Sequence, residues 1–335
     1  MDNPGFRSPS VAPREITAGE AGQRVDNWLL RQFRGMPKSH VYRLIRTGQV
    51  RINGGRIKPT YRLVAGDRIR IPPVASAPRH PPRGMHPVPH PPADYPVLYE
   101  DSDLLVLGKP SGLAVHGGTG IASGMIERLR RAQPEGAFLE LAHRLDRATS
   151  GCLVFAKNRS SLIAIHAALR SGRLEKGYLA LLKGSPHWTE RTVEEAIARS
   201  RVVGRERISE IAPQGKPARS HFRIVRRWPL AALAEIRIET GRTHQIRVHA
   251  ASLGHPIAGD EKYGEREFNR LLKARFGLKR LFLHARALTL PHPVTAETIT
   301  VQAPLPGDLE SLLIALDATD PESTGSWDLP APRSP

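Results

Sequence analysis

His143-Arg144-Leu145-Asp146-Arg147-Ala148-Thr149-Ser150-Gly151, running on into Cys152-Leu153-Val154-Phe155-Ala156, is the stretch from which the rest of the chain can be read. Its second half is an apolar run behind a Thr-Ser-Gly turn, which predicts a buried strand. Its first half sets a carboxylate between two guanidinium groups at the mouth of that strand. From the charges alone, Arg-Asp-Arg reads equally well as a surface ion pair. Two features favour a functional site. Catalytic groups concentrate on loops held by a rigid scaffold, and a second arginine-centred cluster recurs downstream at Gly241-Arg242-Thr243-His244-Gln245-Ile246-Arg247.

At 335 residues the chain is long enough for two domains. Its 50 Lys and Arg against 32 Asp and Glu leave a formal net charge of +18. Such an excess calls for a polyanionic partner, nucleic acid before an anionic membrane surface. Arg far outnumbers Lys, and guanidinium forks grip phosphate oxygens and stack on bases. The single cysteine, Cys152, rules out an intramolecular disulfide and any Cys-based zinc site, and its apolar neighbours make it a small core residue. No apolar run approaches the roughly 20 residues that cross a bilayer, and the N-terminus lacks a signal-peptide core. The expectation is a cytoplasmic protein without a membrane segment.

Residues 1–20 read as a disordered N-terminus. Val25, Trp28, Leu29 and Phe33 then recur at helical spacing, and a second helix spans about Lys38 to Thr47, stopped by Gly48. Its outer faces carry Lys38, Arg43 and Arg46, candidate RNA contacts. Asn53-Gly54 joins two short strands in a hairpin, and Arg68-Ile69-Arg70-Ile71 alternates as a half-buried strand does. Residues 1–93 hold 16 Lys and Arg against 5 Asp and Glu, so +11 of the +18 lies there. Residues 73–93 are crowded with proline, which predicts a stiff linker. Its His80, His86 and His90 lack carboxylate or thiol partners, so no metal is expected. From residue 94 to 316 many strands and few helices predict an α+β domain with a mixed, mainly antiparallel sheet. Ile246–His249 is read as one of its strands, and residues 317–335 as a disordered tail.

Some motifs point elsewhere and fail on inspection. Gly118-Thr-Gly120-Ile-Ala-Ser123-Gly124 lacks the last glycine of a dinucleotide fingerprint and the βαβ unit around it. His116-Gly-Gly has no nucleophile elbow to serve. His244 and His249 lack helical zinc-pair spacing, and no Walker loop occurs, so no nucleotide cofactor is expected.

Residues 21–72 resemble the alpha-L RNA-binding domain first seen in ribosomal small-subunit protein four, through Arg24-Val-Asp26, the basic second helix, the Val50-Arg-Ile-Asn-Gly54 hairpin and Gly66-Asp-Arg-Ile69. His143-Arg-Leu-Asp146-x-x-Thr-Ser-Gly151, Lys176-Gly-Tyr178, Gly241-Arg-Thr-His-Gln-Ile-Arg247-Val-His249 and Gly259-Asp260-x-x-Tyr263-Gly264 together resemble the RluA-type family of RNA pseudouridine synthases, with Lys109-Pro-x-Gly112 fitting as well. Gly108 departs from the Asn or Asp that often precedes Lys-Pro in that family. The alpha-L domain in front is similar to the RluC and RluD branches. The resemblance implies an isomerase that turns specific uridines of large-subunit ribosomal RNA into pseudouridine, as a monomer and without cofactor or metal. It implies Asp146 as nucleophile, acting at the anomeric carbon, at uracil carbon six or on the ribose. It also implies Arg242 as the cation beside Asp146, Tyr178 stacked on the base, and Arg144 filling the gap left by a flipped uridine. The alternative is a noncatalytic RNA-binding or ribosome-assembly protein of the same fold.

Overall fold

The computed structural model describes residues 13–33, 38–72, 95–117, 123–134, 137–203 and 206–320. The chain divides into two compact units, Met1–Pro89 and His90–Pro335.

The first unit holds β1 (Arg14–Glu15), α1 (Val25–Gln32), α2 (Lys38–Arg46), β2 (Arg51–Ile52), β3 (Gly55–Arg56) and β4 (Arg68–Arg70). The four strands form one sheet in the order β1-β4-β2-β3. Helical spacing puts Val25, Trp28 and Leu29 of α1 and Val41, Leu44 and Ile45 of α2 into one core with Ile52 and Ile69. Asn53 and Gly54 take positive φ angles of 51° and 79°, as the Asn-Gly hairpin requires. Buried Asp67 then ties the hairpin down, accepting hydrogen bonds from Asn53 Nδ2 at 2.9 Å, Tyr61 Oη at 3.1 Å and Val64 N at 2.8 Å.

Order starts earlier than expected. Glu20 accepts the indole N–H of buried Trp28 at 3.0 Å and pairs with Arg14 at 2.7 Å, and the Arg14 guanidinium lies over the Trp28 ring. One indole donor and one cation therefore recruit residues 14–20, which composition alone assigns to a disordered stretch.

The second unit is built on one ten-stranded sheet. Its elements are β5 (Val97–Glu100), β6 (Leu104–Lys109), α3 (Met125–Ala132), β7 (Glu140–Leu141), β8 (Ser150–Ala156), α4 (Arg159–Arg170) and β9 (Glu175–Lys183). There follow β10 (Glu190–Glu194), β11 (Ile197–Val203), β12 (Glu206–Ile211), β13 (Arg219–Arg227), β14 (Ala231–Ile238) and α5 (Gln245–Ser252). The last are α6 (Arg266–Phe276), β15 (Leu283–Pro291), β16 (Thr298–Gln302) and α7 (Gly307–Ala318). The sheet runs β10-β13-β14-β9-β15-β8-β6-β5, with β16 on β15 and β7 on β8, while β11 and β12 pair apart from it. β15 and β8 run parallel, and the other described neighbours antiparallel. The mixed, mainly antiparallel α+β sheet read from the sequence is the sheet found.

The period-2 geometry of a strand explains the apolar runs. Leu153 and Phe155 of β8 face α3 and α5 with Tyr178, Ala180 and Leu182 of β9. Cys152, Val154 and Ala156 face the other way, under α4. Leu181 and Leu233, on that same side, meet α6 and α7. Both faces are covered, so the run has no polar alternation.

Two readings change. Gln245–Ser252 is a helix, and Ile246 to His249 is not a strand. All six residues from Gln245 to Ala250 are buried. A helix buried on every side has no amphipathic period, and Ile246 and Val248 mimic strand composition. The C-terminal helix runs through Ala318, past the expected start of the tail, because Asp317 accepts Trp228 Nε1 at 2.8 Å and pairs with Arg226 at 2.8 Å. The proline-rich stretch 73–93 and residues 118–122 and 321–335 lie outside the described residues. At the edge of the glycine-rich motif, the Glu127 carboxylate accepts the N–H groups of Gly117 and Gly124, which occupies the start of α3 with a side chain.

Gly151 is the tightest point of the frame. It has φ 116°, and a Cβ there would overlap the Ala285 carbonyl of β15 across the parallel pairing. We expect Gly151→Ala to lower the unfolding free energy of this unit by about 3 kcal/mol, combining overpacking with backbone strain. Denaturant unfolding measures it, and an unchanged midpoint would contradict the close approach.

Candidate active site

The loop 142–149 brings Asp146 to the mouth of β8 and is held from below. Lys109, 1% exposed, donates to the carbonyls of Pro110 at 2.8 Å, Leu113 at 2.9 Å and Arg147 at 3.1 Å. Gly112 N donates to the Arg147 carbonyl, Arg147 Nε returns a bond to the Gly112 carbonyl, and Ser111 Oγ donates to the Ala148 carbonyl. The Lys109-Pro-x-Gly112 segment is thus a brace under the carboxylate. Burial pulls the Lys109 ammonium down to about 7. His143 is half-buried behind the loop, where its Nε2 accepts the Val154 N–H at 3.2 Å, and burial of the ring pushes it down to about 3. Ser150 Oγ, at the loop's other end, accepts from Arg280 at 2.6 Å and bonds His284 Nδ1 at 3.0 Å. His284 is pushed down to about 4, first by burial. Cys152 is a core thiol, pushed up to about 12 by burial.

The cation beside Asp146 is Arg247, not Arg242. Arg247 Nη1 stands 3.5 Å from Asp146 Oδ2, with side chains 7% and 19% exposed. Arg242 lines the same cavity, but its Nε donates to the Pro217 carbonyl at 3.0 Å and its backbone N–H to Gln245 Oε1. The two arginines belong to one motif. Residues 245–252 are helical rather than extended, which turns Arg247 inward and leaves Arg242 in the preceding turn.

Arg247 is itself clamped. Its Nε and Nη2 each donate to Asp260 at 2.7 Å, a two-pronged contact with a carboxylate whose side chain is wholly buried. Asp260 also accepts the N–H groups of Lys262 and Tyr263, and its carboxyl sits below the usual range although burial alone would raise it. The Arg247 guanidinium lies 5.0 Å from the centre of the Tyr263 ring. Tyr263 Oη accepts the Ser209 N–H and bonds His244 Nδ1, both at 2.8 Å. His244, with φ 57° at the start of α5, sets its Nε2 3.9 Å from Asp146. Its imidazole is pushed down by burial, against the pull of Asp146. Sequence reasoning held the Gly259-Asp260-x-x-Tyr263 motif without a role. The signal for its role is a lone Asp in a glycine turn, which a buried arginine requires as partner.

Tyr178 lies on β9 in the same cavity, of about 510 Å³, with Asp146, Arg144, Arg242 and Arg247. Burial first, and the Asp146 charge second, push its hydroxyl above the usual tyrosine range. Arg144 is exposed at the rim. Of the other expected contacts, Arg43 and Arg46 stand exposed on α2, and the side chain of Lys38 lies outside the described residues. Among the described residues one His and carboxylate group has metal-like spacing, Asp101, Asp103 and His292. Its atoms are already engaged: Asp101 accepts from His292, Tyr99 and two backbone N–H groups, and Asp103 from Asn158 and Ser161.

Compared with known proteins, residues 103–252 match the RNA pseudouridylate synthase family and residues 23–69 the S4 domain. The chain is 48% identical over 311 residues to the ribosomal large subunit pseudouridine synthase C of Salmonella typhimurium, covering 92% of this chain and 98% of that one. It is 48% identical over 308 residues to the protein of that name from Escherichia coli K12, covering 91% and 97%. Among solved structures, human RNA pseudouridylate synthase domain containing 1 is 28% identical with a TM-score of 0.54, over 67% of this chain and 89% of the human one.

The depressed histidines give the site's frame a pH signature. His143 and His284 have folded values below the unfolded 6.5, so the unfolded chain binds their protons first. Their contribution to stability is complete above about pH 6.5 and declines as pH falls towards 4. We expect the melting temperature of the second unit to drop over that window, and His284→Gln to flatten the drop. An unaltered slope in the variant would remove His284 from the account.

Proposed function

The chain belongs to the RNA pseudouridylate synthase family and carries an S4 domain ahead of the catalytic one, and from that premise we propose that it modifies uridines of large-subunit ribosomal RNA through Asp146. The reaction is an isomerisation. The bond from uracil N1 to ribose C1′ breaks, a bond from C5 to C1′ forms, and a proton leaves C5 while N1 gains one. No electron or phosphate enters the balance, so a carboxylate and a proton acceptor suffice. The RNA target is supported by the relatives named above and by the +11 of residues 1–93.

The observation that carries the site assignment is the ion pair. Arg247, held by Asp260, stands 3.5 Å from Asp146 and sets a fixed positive charge against its carboxylate. Attack at C1′, addition to C6 and proton removal from the ribose all begin with that ionised oxygen. In this reading Arg247 takes the role that the family resemblance assigned to Arg242. Tyr178 abuts the base, its hydroxyl pushed up first by burial and then by the charge of Asp146. A uridine in folded RNA must leave its stack, at a cost of a few kcal/mol, and Arg144 at the rim fills the gap. Arg43 and Arg46, exposed on α2, hold RNA phosphates. The enzyme works in this reading as a monomer in the cytoplasm, without cofactor. No described helix is long and apolar enough to cross a membrane.

Two measurements test the proposal. Asp146→Asn is expected to abolish tritium release from [5-³H]uracil-labelled ribosomal RNA with little change in RNA affinity, and release at the parent rate would remove Asp146 as the reacting group. Arg43→Ala combined with Arg46→Ala is expected to make the salt dependence of RNA binding shallower, by roughly 0.7–0.9 in the logarithmic slope per phosphate lost. A slope equal to the parent's would exclude α2 from the RNA contact.

A further inference from the structure

Lys176 precedes Tyr178 by two residues on β9, so the two side chains leave the same face of the strand about 7 Å apart along it. Lys176 is 9% exposed. Among the described residues no hydrogen bond or ion pair engages its ammonium group, and the nitrogen is not one of the polar atoms sealed from solvent, so it stays open to the cavity side. Gly241 marks where the nitrogen lies, since a Cβ on that glycine would stand 3.5 Å from Lys176 Nζ. The ammonium therefore sits against the Gly241 turn, in the wall of the cavity that contains Asp146, Tyr178 and Arg247.

The contrast with the unit's other buried lysine is informative. Lys109 has three carbonyl acceptors and serves the fold. Lys176 has none, and burial lowers its proton affinity with nothing in the protein opposing it. A buried charge without a partner costs stability, and such a group persists where a ligand completes it.

The substrate offers one formal anion, the phosphodiester. The reacting end of the cavity is already furnished by Asp146 with Arg247 and His244. Lys176 lines the cavity one strand repeat from Tyr178, as Arg170 also lines it. With a uracil ring between Asp146 and Tyr178, the adjoining phosphodiester is the anion of the substrate left to complement an ammonium one strand repeat away. We propose that Lys176 is the anchor for the phosphodiester adjoining the flipped uridine, and so sets how deeply the nucleotide enters. This rests on reading Asp146 as the reacting carboxylate, but its test reads binding and stands whether or not that reading holds.

The test uses the full chain, Lys176→Met and Lys176→Arg variants, and a large-subunit ribosomal RNA transcript titrated at several salt concentrations. For the Met variant we expect binding roughly tenfold weaker, as for loss of a charged hydrogen bond, and a logarithmic salt slope shallower by about 0.7–0.9. Its melting temperature should equal or exceed the parent's, because an unpaired buried charge has been removed. The Arg variant should keep the parent slope. A Met variant with the parent's salt slope overturns the proposal. If its turnover then falls, Lys176 touches the uracil ring; if its melting temperature falls, the lysine serves the fold.

Discussion

The two-pronged contact of Arg247 on Asp260 is the interaction on which the site depends. Both groups are buried, so the pair is tolerable only because each charge is met by fixed partners. Asp260 uses its oxygens on Arg247 and on the backbone of the Lys262–Tyr263 turn, which leaves one guanidinium nitrogen of Arg247 for Asp146. The geometry is directional. A carboxylate near a mobile cation would be screened and averaged, whereas one facing a clamped guanidinium holds its charge where substrate arrives.

Around this pair the protein spends buried polar groups on position. Lys109 ties the 142–149 loop to the 110–113 segment through the carbonyls of Arg147, Pro110 and Leu113, His143 accepts a strand N–H, and Ser150 is held between His284 and Arg280. None of these touches Asp146 directly. They fix the backbone on either side of it, and the β8–β15 parallel pairing at Gly151 closes the arrangement. Lys176 is the exception, a largely buried cation of the same cavity without a hydrogen-bond partner among the described residues, which is the basis for placing a substrate phosphodiester there.

The first unit works by different physics. Its core is small and apolar, its buried polar hubs are Asp67 under the hairpin and Asp26 on α1, and Arg43 and Arg46 stand in solvent. Solvent-exposed cations act on a polyanion over about a Debye length and without demanding one geometry. The chain thus combines diffuse attraction in one unit with directional chemistry in the other.

Much of this was legible in the residues. Apolar runs bounded by turns located β8, β9 and β15, Asn-Gly located the first unit's hairpin, and charge located the RNA-facing segment. The carboxylate at Asp146 and the ring at Tyr178 were picked out by the family resemblance, since the charges alone left Asp146 open to reading as a surface ion pair. What period and composition missed was decided in three dimensions. Residues 245–252 are buried on all sides, so their helix has no amphipathic signature, and the cation beside Asp146 was assigned to Arg242 when the helix turns Arg247 inward. The order of residues 14–20 and 317–318 hangs on two indole N–H groups, Trp28 and Trp228, whose partners no local pattern reveals. The role of Asp260 was equally hidden. A lone carboxylate in a glycine turn has no partner in sequence, and only packing brings the guanidinium of another element within hydrogen-bond reach. Local sequence determined which strands and hairpins form, because backbone preference and burial act residue by residue. Tertiary structure decided which charges meet, because a pairing of buried ions depends on both partners being held at once.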